Sequence, residues 1–90
     1  MNAATPQRFL LVCEWWDSHA EVDRIRTLPF TGDLARAKAA LRAIMGVPRE
    51  DRLVEHWIPE GGRIEERATG KPVAWFEWNA WDETAVEVTP

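Results

Sequence analysis

Between residues 31 and 46 the apolar side chains recur at helical spacing. Leu34, Ala37, Leu41, Ile44 and Met45 fall on one stripe when each residue advances by ~100°, with Ala40 at its edge, Lys38 and Arg42 beside it and Arg36 behind it. Thr31 is placed to act as N-cap, its hydroxyl accepting a first-turn amide proton. Asp33 then lies in the first turn, where the helix dipole favours a carboxylate. Gly46 suits the left-handed residue that ends a helix, and Pro48 forbids continuation. A stripe so rich in alanine lets a helix lie close to a flat partner, and one helix cannot bury itself.

Elsewhere the pattern has period two. Residues 8–16 alternate as a strand, with Phe9, Leu11, Cys13 and Trp15 on one side and Leu10, Val12, Glu14 and Trp16 on the other. Apolar residues on both sides predict an interior strand. Asp17-Ser18-His19 reads as a turn. Residues 20–28 have features of both states. Ser18 and Glu21 have capping-box spacing, yet the segment is short and follows a strand through a tight polar turn. A hairpin whose second strand is a charged edge is preferred, Arg24 and Arg26 deterring edge-to-edge pairing and Pro29 ending the strand.

Beyond Pro48, residues 52–58 alternate as a strand, Pro59-Glu60-Gly61-Gly62 reads as a turn, and 63–69 as a solvated strand. Gly70-Lys71-Pro72 is a second turn, followed by a strongly apolar strand at 73–79. There Val73, Trp75 and Glu77 oppose Ala74, Phe76 and Trp78. Residues 84–88 read as a short final strand or as a tail that orders only on a partner. Residues 1–7 and 89–90 are expected to fray. Short connections favour antiparallel neighbours. The predicted fold is a single α+β domain over 1–90: an antiparallel sheet of about five strands in β-β-α-β-β-β order, with one helix at about 32–45 packed on one face.

Composition narrows the functions available. Ninety residues make one small domain, whose modest core leaves association with a second copy as one route to stability. Eleven Lys plus Arg against 15 Asp plus Glu give a formal net charge of −4, which disfavours direct binding to nucleic acid or to an anionic membrane. The charge is uneven, with five bases and three acids over 33–52 but three bases and seven acids from Glu60 onward. Cys13 is the only cysteine, so no intramolecular disulfide forms. With no signal peptide and no membrane-spanning apolar run, the chain reads as cytoplasmic.

Six tryptophans are the main candidates for chemistry: Trp15, Trp16, Trp57, Trp75, Trp78 and Trp81. Strand alternation divides Trp15 from Trp16, and Trp75 from Trp78, between the two faces of a sheet, and one helix covers one face. Some indole surface is therefore exposed or seated in a partner, where Trp is a typical anchor. Glu14 and Glu77 would approach each other if their strands were neighbours, as paired carboxylates do in glycoside hydrolysis, but a flat small domain offers no enclosed cleft. Cys13, His19 and His56 lack ligand spacing, so no metal is expected. Gly61-Gly62 does not precede a helix, so there is no phosphate-binding loop and no cofactor is expected.

The expected function is a small protein–protein interaction module, not an enzyme. It would dock an aromatic, acid-rimmed sheet face onto another protein or a second copy of itself. Trp75, Trp78 and Trp81 would be the anchors, with Glu77, Asp82 and Glu83 giving orientation. One alternative is a phage-type anti-defence inhibitor presenting an acidic surface to a nucleic-acid-binding protein. Another is a small-ligand or carbohydrate binder using the exposed tryptophans.

Overall fold

The computed structural model describes residues 8–46 and 57–89. Strand β1 (Phe9–Asp17) turns into β2 (Val22–Phe30), helix α1 (Leu34–Gly46) follows, and β3 (Trp57–Glu66), β4 (Pro72–Asn79) and β5 (Thr84–Val88) complete the fold. The five strands form one sheet in the order β2-β1-β3-β4-β5. Every neighbouring pair is antiparallel. The α+β class, the β-β-α-β-β-β order and the single packed helix are those the residue pattern predicts. The segment at 20–28 is resolved as an edge strand, and β1, apolar on both sides, is interior.

Helix α1 covers one face of the sheet. Ala37, Leu41 and Met45, spaced four apart, are all at most 1 % exposed. They pack on Phe9, Leu11, Cys13 and Trp15 of β1, Ile64 of β3, Ala74 and Phe76 of β4, and Ala85 of β5. Full burial of the Leu, Ile, Phe and Met side chains among these contributes about 1.5–3 kcal/mol each. Beside the stripe, Lys38 Nζ lies 2.8 Å and Arg42 guanidinium 3.9 Å from the Glu87 carboxylate, tying the helix to the edge strand β5.

The structure corrects both predicted helix ends. Asp33 is the cap in place of Thr31: its Oδ1 accepts the Arg36 N–H at 2.8 Å, and its carbonyl accepts the Ala37 N–H at 3.0 Å. One carboxylate thus satisfies a first-turn amide and faces the positive end of the dipole. Gly46 is the last helical residue and does not take a left-handed φ. Pro48 lies outside the described residues, as do 1–7, 90 and residues 52–56 of the predicted strand at 52–58.

The turn predicted at Pro59–Gly62 is absent, and β3 runs straight through it. Glu14 pairs with Gly61 and Trp15 with Pro59, so Glu60 is the extra residue of a β-bulge. A bulge is where an interior strand tolerates proline. Gly62 serves close approach: a Cβ there would lie 3.0 Å from both Met45 Sδ and the Val12 carbonyl oxygen, and 3.2 Å from Leu41 Cδ1. The strand predicted at 63–69 is the second half of β3, which stops at Glu66. Pro29 does not end β2 but pairs with Leu10 inside it, as an edge strand allows.

Three hairpin loops, at 18–21, 67–71 and 80–83, each hold a left-handed residue: Glu21 (φ 57°) and Glu83 (φ 51°) as the last residue of their loops and Gly70 (φ 72°) one before the end of its own. For a residue with a Cβ this conformation costs about 1–2 kcal/mol. The two glutamates are held there by side-chain caps one turn earlier. Asp17 Oδ1 accepts the His19 and Ala20 N–H groups at 3.0 Å each. Asn79 Oδ1 accepts those of Trp81 and Asp82 at 2.9 and 3.1 Å. Because β1 and β4 are both antiparallel to β3, these two capped loops lie at the same end of the sheet.

Candidate functional site

Strand alternation, once registered, assigns each strand tryptophan whose side chain is described to a face. Trp15 is 1 % exposed beneath the helix, so its neighbour Trp16 stands on the opposite face. Trp78 packs against the core rim from the helix side, so Trp75 also stands on the opposite face.

That open face is laid out in cross-strand rows. From β2 to β5, one row is Thr27, Val12, Arg63, Trp75 and Val88. The next is Ile25, Glu14, Gly61, Glu77 and Val86. A third holds Asp23, Trp16 and Ile58. Ile25 is 63 % and Ile58 51 % exposed, and among the described residues no element lies over this face. The two faces treat their aromatic rings differently. On the helix side Arg26 sits 5.9 Å from the Trp15 ring centroid and Arg42 5.2 Å from that of Phe76. Among the described residues no cation lies over Trp16 or Trp75.

The open face is also acidic. Among the described strand residues, five carboxylates (Glu14, Asp23, Glu60, Glu65, Glu77) accompany one guanidinium, Arg63, a formal charge of −4. Arg63 donates to Glu65 at 2.6 Å and to Glu14 at 3.0 Å. Its pKa is raised, first by the hydrogen bond to Glu65, so it is cationic throughout the accessible pH range. Asp23 on β2 and Glu60 on β3 have β1 between them, so the bulge carries the Glu60 carboxyl across Trp16's strand to meet Asp23. A hydrogen bond with Asp23 raises the Glu60 pKa, with burial and the charges of Asp23 and Glu14 adding to the shift.

A carboxyl whose pKa is higher folded than unfolded binds protons more tightly in the folded state. Its contribution to stability is therefore greatest at low pH and is lost as pH rises past the ordinary value of 4.5 toward the raised folded value. At neutral pH the Asp23–Glu60 contact works against folding. Glu60→Gln is expected to give a urea midpoint at pH 7 no lower than that of the parent chain, with the difference closing near pH 4. A variant less stable than the parent at pH 7 would show that the carboxyl contact is favourable when ionised.

The structure divides the predicted site residues. Trp75 and Glu77 share the open face. Trp78 does not join them; it lies at the core rim, near Gly46 at the end of α1. Trp81 is 96 % exposed at the β4–β5 loop. Asp82 braces that loop by accepting from Asn79 Nδ2 at 3.2 Å, and Glu83 is its left-handed residue. Glu14 and Glu77 are not on neighbouring strands: β3 passes between them with Gly61, separating their backbones by roughly 10 Å. Trp16, Ile25, Asp23, Ile58 and Glu60 join the face only through long-range register and the bulge. Cys13 is 1 % exposed and burial pushes its thiol up to about 12, which leaves no thiolate for nucleophilic work at neutral pH. Among the described residues no group of three or more His, Cys, Asp or Glu is arranged to hold a metal ion, and no helix is long and apolar enough to cross a membrane.

No protein-family model, curated protein or solved structure matches the chain. The class is accordingly defined by the fold and the open face alone: a one-helix, two-layer α+β domain with an aromatic, acidic sheet surface.

Proposed function

We propose that this chain is a small protein–protein interaction module that works through the open sheet face and performs no catalysis of its own. The observation that supports this most strongly is the sheet face over which no element lies among the described residues. It carries Trp16, Trp75, Ile25 and Ile58, the last two more than half exposed, among carboxylates. Five strands ~4.8 Å apart and about 27 Å long present roughly 600 Å², close to the ~800 Å² that each partner contributes to a standard interface. Trp81, presented on a braced loop, is a second contact outside the sheet. The reading places the module in the cytoplasm, in keeping with its one cysteine, which is buried and thiol-bearing.

The test is affinity capture with variants that spare the core. Ile25→Ser with Ile58→Ser removes exposed apolar surface from the face, and each change is expected to cost less than about 1 kcal/mol of stability. Trp78→Ala is unsuited to this purpose, because it would open the core rim. The doubly substituted chain is expected to melt cooperatively and to lose the partner that the parent chain captures. Undiminished capture by the folded double variant would remove the open face from the interaction.

A further inference from the structure

We infer that the open face receives a basic, arginine-bearing segment of another polypeptide, lying across the strands with cationic side chains over the Glu14–Gly61–Glu77 row. The inference rests on the interaction reading above and specifies the chemistry of the partner.

The apolar residues of this face say only that something is covered. The charges say what covers it. Five carboxylates to one guanidinium would repel nucleic acid, and would repel an identical face of a second copy pressed against it. Three of the carboxylates, Asp23, Glu60 and Glu77, have no ion-pair partner among the described residues. Asp23 and Glu60 are held against each other, a contact that a cation would relieve.

The relief of the surface suits an arginine. Gly61 lies between Glu14 and Glu77 and has no side chain. Among the described residues, its chain neighbours aside, the Phe76 carbonyl oxygen of the next strand alone lies within 4 Å of where its Cβ would stand. The row is therefore a notch with a backbone floor, the Arg63-bonded Glu14 carboxylate on one wall and the Glu77 carboxylate on the other, spanning two strand spacings, roughly 10 Å. That width admits an aliphatic stem with a guanidinium between the two acids. In the flanking rows stand Trp75 and Trp16, over which no cation lies among the described residues. The helix side shows the pairing these indoles lack, since Arg26 already lies over Trp15. Acids and half-buried indoles over which no described cation lies both attract a guanidinium, the indoles through the ring quadrupole.

The probes are three peptides of equal length, alternating leucine with arginine, with serine or with glutamate. Each is titrated into the isotope-labelled chain while the indole N–H resonances are followed. The arginine peptide is expected to shift the Trp16 and Trp75 signals and to leave that of Trp15 in place. Raising the salt concentration should weaken it. The combination Asp23→Asn, Glu60→Gln, Glu77→Gln should weaken it about tenfold while the chain still melts cooperatively. If the serine or glutamate peptide binds the same indoles as well as the arginine peptide does, the basic partner is overturned while the interacting face stands. If sedimentation shows a dimer that Ile25→Ser with Ile58→Ser dissociates, the occupant is a second copy and the inference is likewise overturned. If no peptide shifts any indole and the chain sediments as a monomer, both the partner chemistry and the interaction reading fall.

Discussion

Gly62→Ala is expected to destabilise the chain by about 2–3 kcal/mol and to lower its melting temperature by roughly 10–20 °C. The added methyl would lie 3.0 Å from the Met45 sulfur, 3.0 Å from the Val12 carbonyl oxygen and 3.2 Å from Leu41 Cδ1. Met45 is flexible enough to move, but the Val12 carbonyl belongs to the backbone of β1, beside β3 in the sheet. Leu41 is wholly buried in the middle of the helix seam. Relief therefore requires β3 to shift against β1 and the helix to lift from the sheet, which loosens the contacts of Ala37 and Met45 as well. Two other glycines give the comparison. Among the described residues, chain neighbours aside, a Cβ at Gly61 would meet the Phe76 carbonyl oxygen at 3.0 Å and one at Gly70 would meet nothing within 4 Å, although φ there is +72°. Gly61→Ala and Gly70→Ala are each expected to cost about 1 kcal/mol, one from a single crowded contact and the other from backbone conformation. Thermal melts of the three variants test the order. A Gly62→Ala chain within about 0.5 kcal/mol of the parent would mean that the helix is not seated over β3 as described.

The same glycines show where the sequence is legible and where it is not. A helical period is local, so Ala37, Leu41 and Met45 announce the buried stripe without reference to the rest of the chain. Period two is also local, which is why Trp15 and Trp16 divide between faces on inspection. The chemistry of Pro59-Glu60-Gly61-Gly62, by contrast, is ambiguous in isolation. Proline and glycine serve a tight turn, and they equally serve a bulge and a close helix contact. Only the pairing of Trp15 with Pro59 and the position of Leu41 above Gly62 decide between them. The helix cap failed more narrowly: Thr31 and Asp33 are both competent, and a difference of two residues is below what local preference resolves.

For the site, the tryptophan division was readable but the identity of the open face was not. That depends on which side α1 packs, which assigns Trp78 to the core rim and leaves Trp75 outside. The acidic residues of the face were visible individually, yet their arrangement was hidden. Glu60 meets Asp23 only because the bulge in β3 re-aims it across β1. Glu14 faces Glu77 across Gly61 only because three strands align in one row. Interstrand register joins residues some 50 positions apart, and no periodicity along the chain carries it.

Asp17→Ala is expected to cost about 3 kcal/mol, although the residue sits in a surface hairpin. Its side chain is buried and does two jobs with two oxygens. Oδ1 accepts the backbone N–H groups of His19 and Ala20, both at 3.0 Å, which holds the loop that forces Glu21 into its left-handed conformation. Oδ2 lies 3.0 Å from both Nε and a terminal nitrogen of Arg24, a two-point contact. The β4–β5 loop separates these jobs, because Asn79 caps the Trp81 and Asp82 N–H groups in the same way with a neutral amide. An uncharged oxygen is thus sufficient for the loop, and the negative charge at position 17 is required by Arg24. Asp17→Asn should therefore retain the loop and lose the ionic contact, costing about half as much as Asp17→Ala. The Arg24 side chain is 44 % exposed, so solvent screening keeps its share modest. Urea denaturation of Asp17→Ala, Asp17→Asn and Arg24→Met, with the Asp17→Asn/Arg24→Met double variant, closes a cycle that measures the pair. Equal losses for Asn and Ala would assign the whole effect to Arg24. An Asn variant as stable as the parent would leave the guanidinium without energetic weight and the loop cap as the sole reason for a carboxylate-shaped side chain at this position.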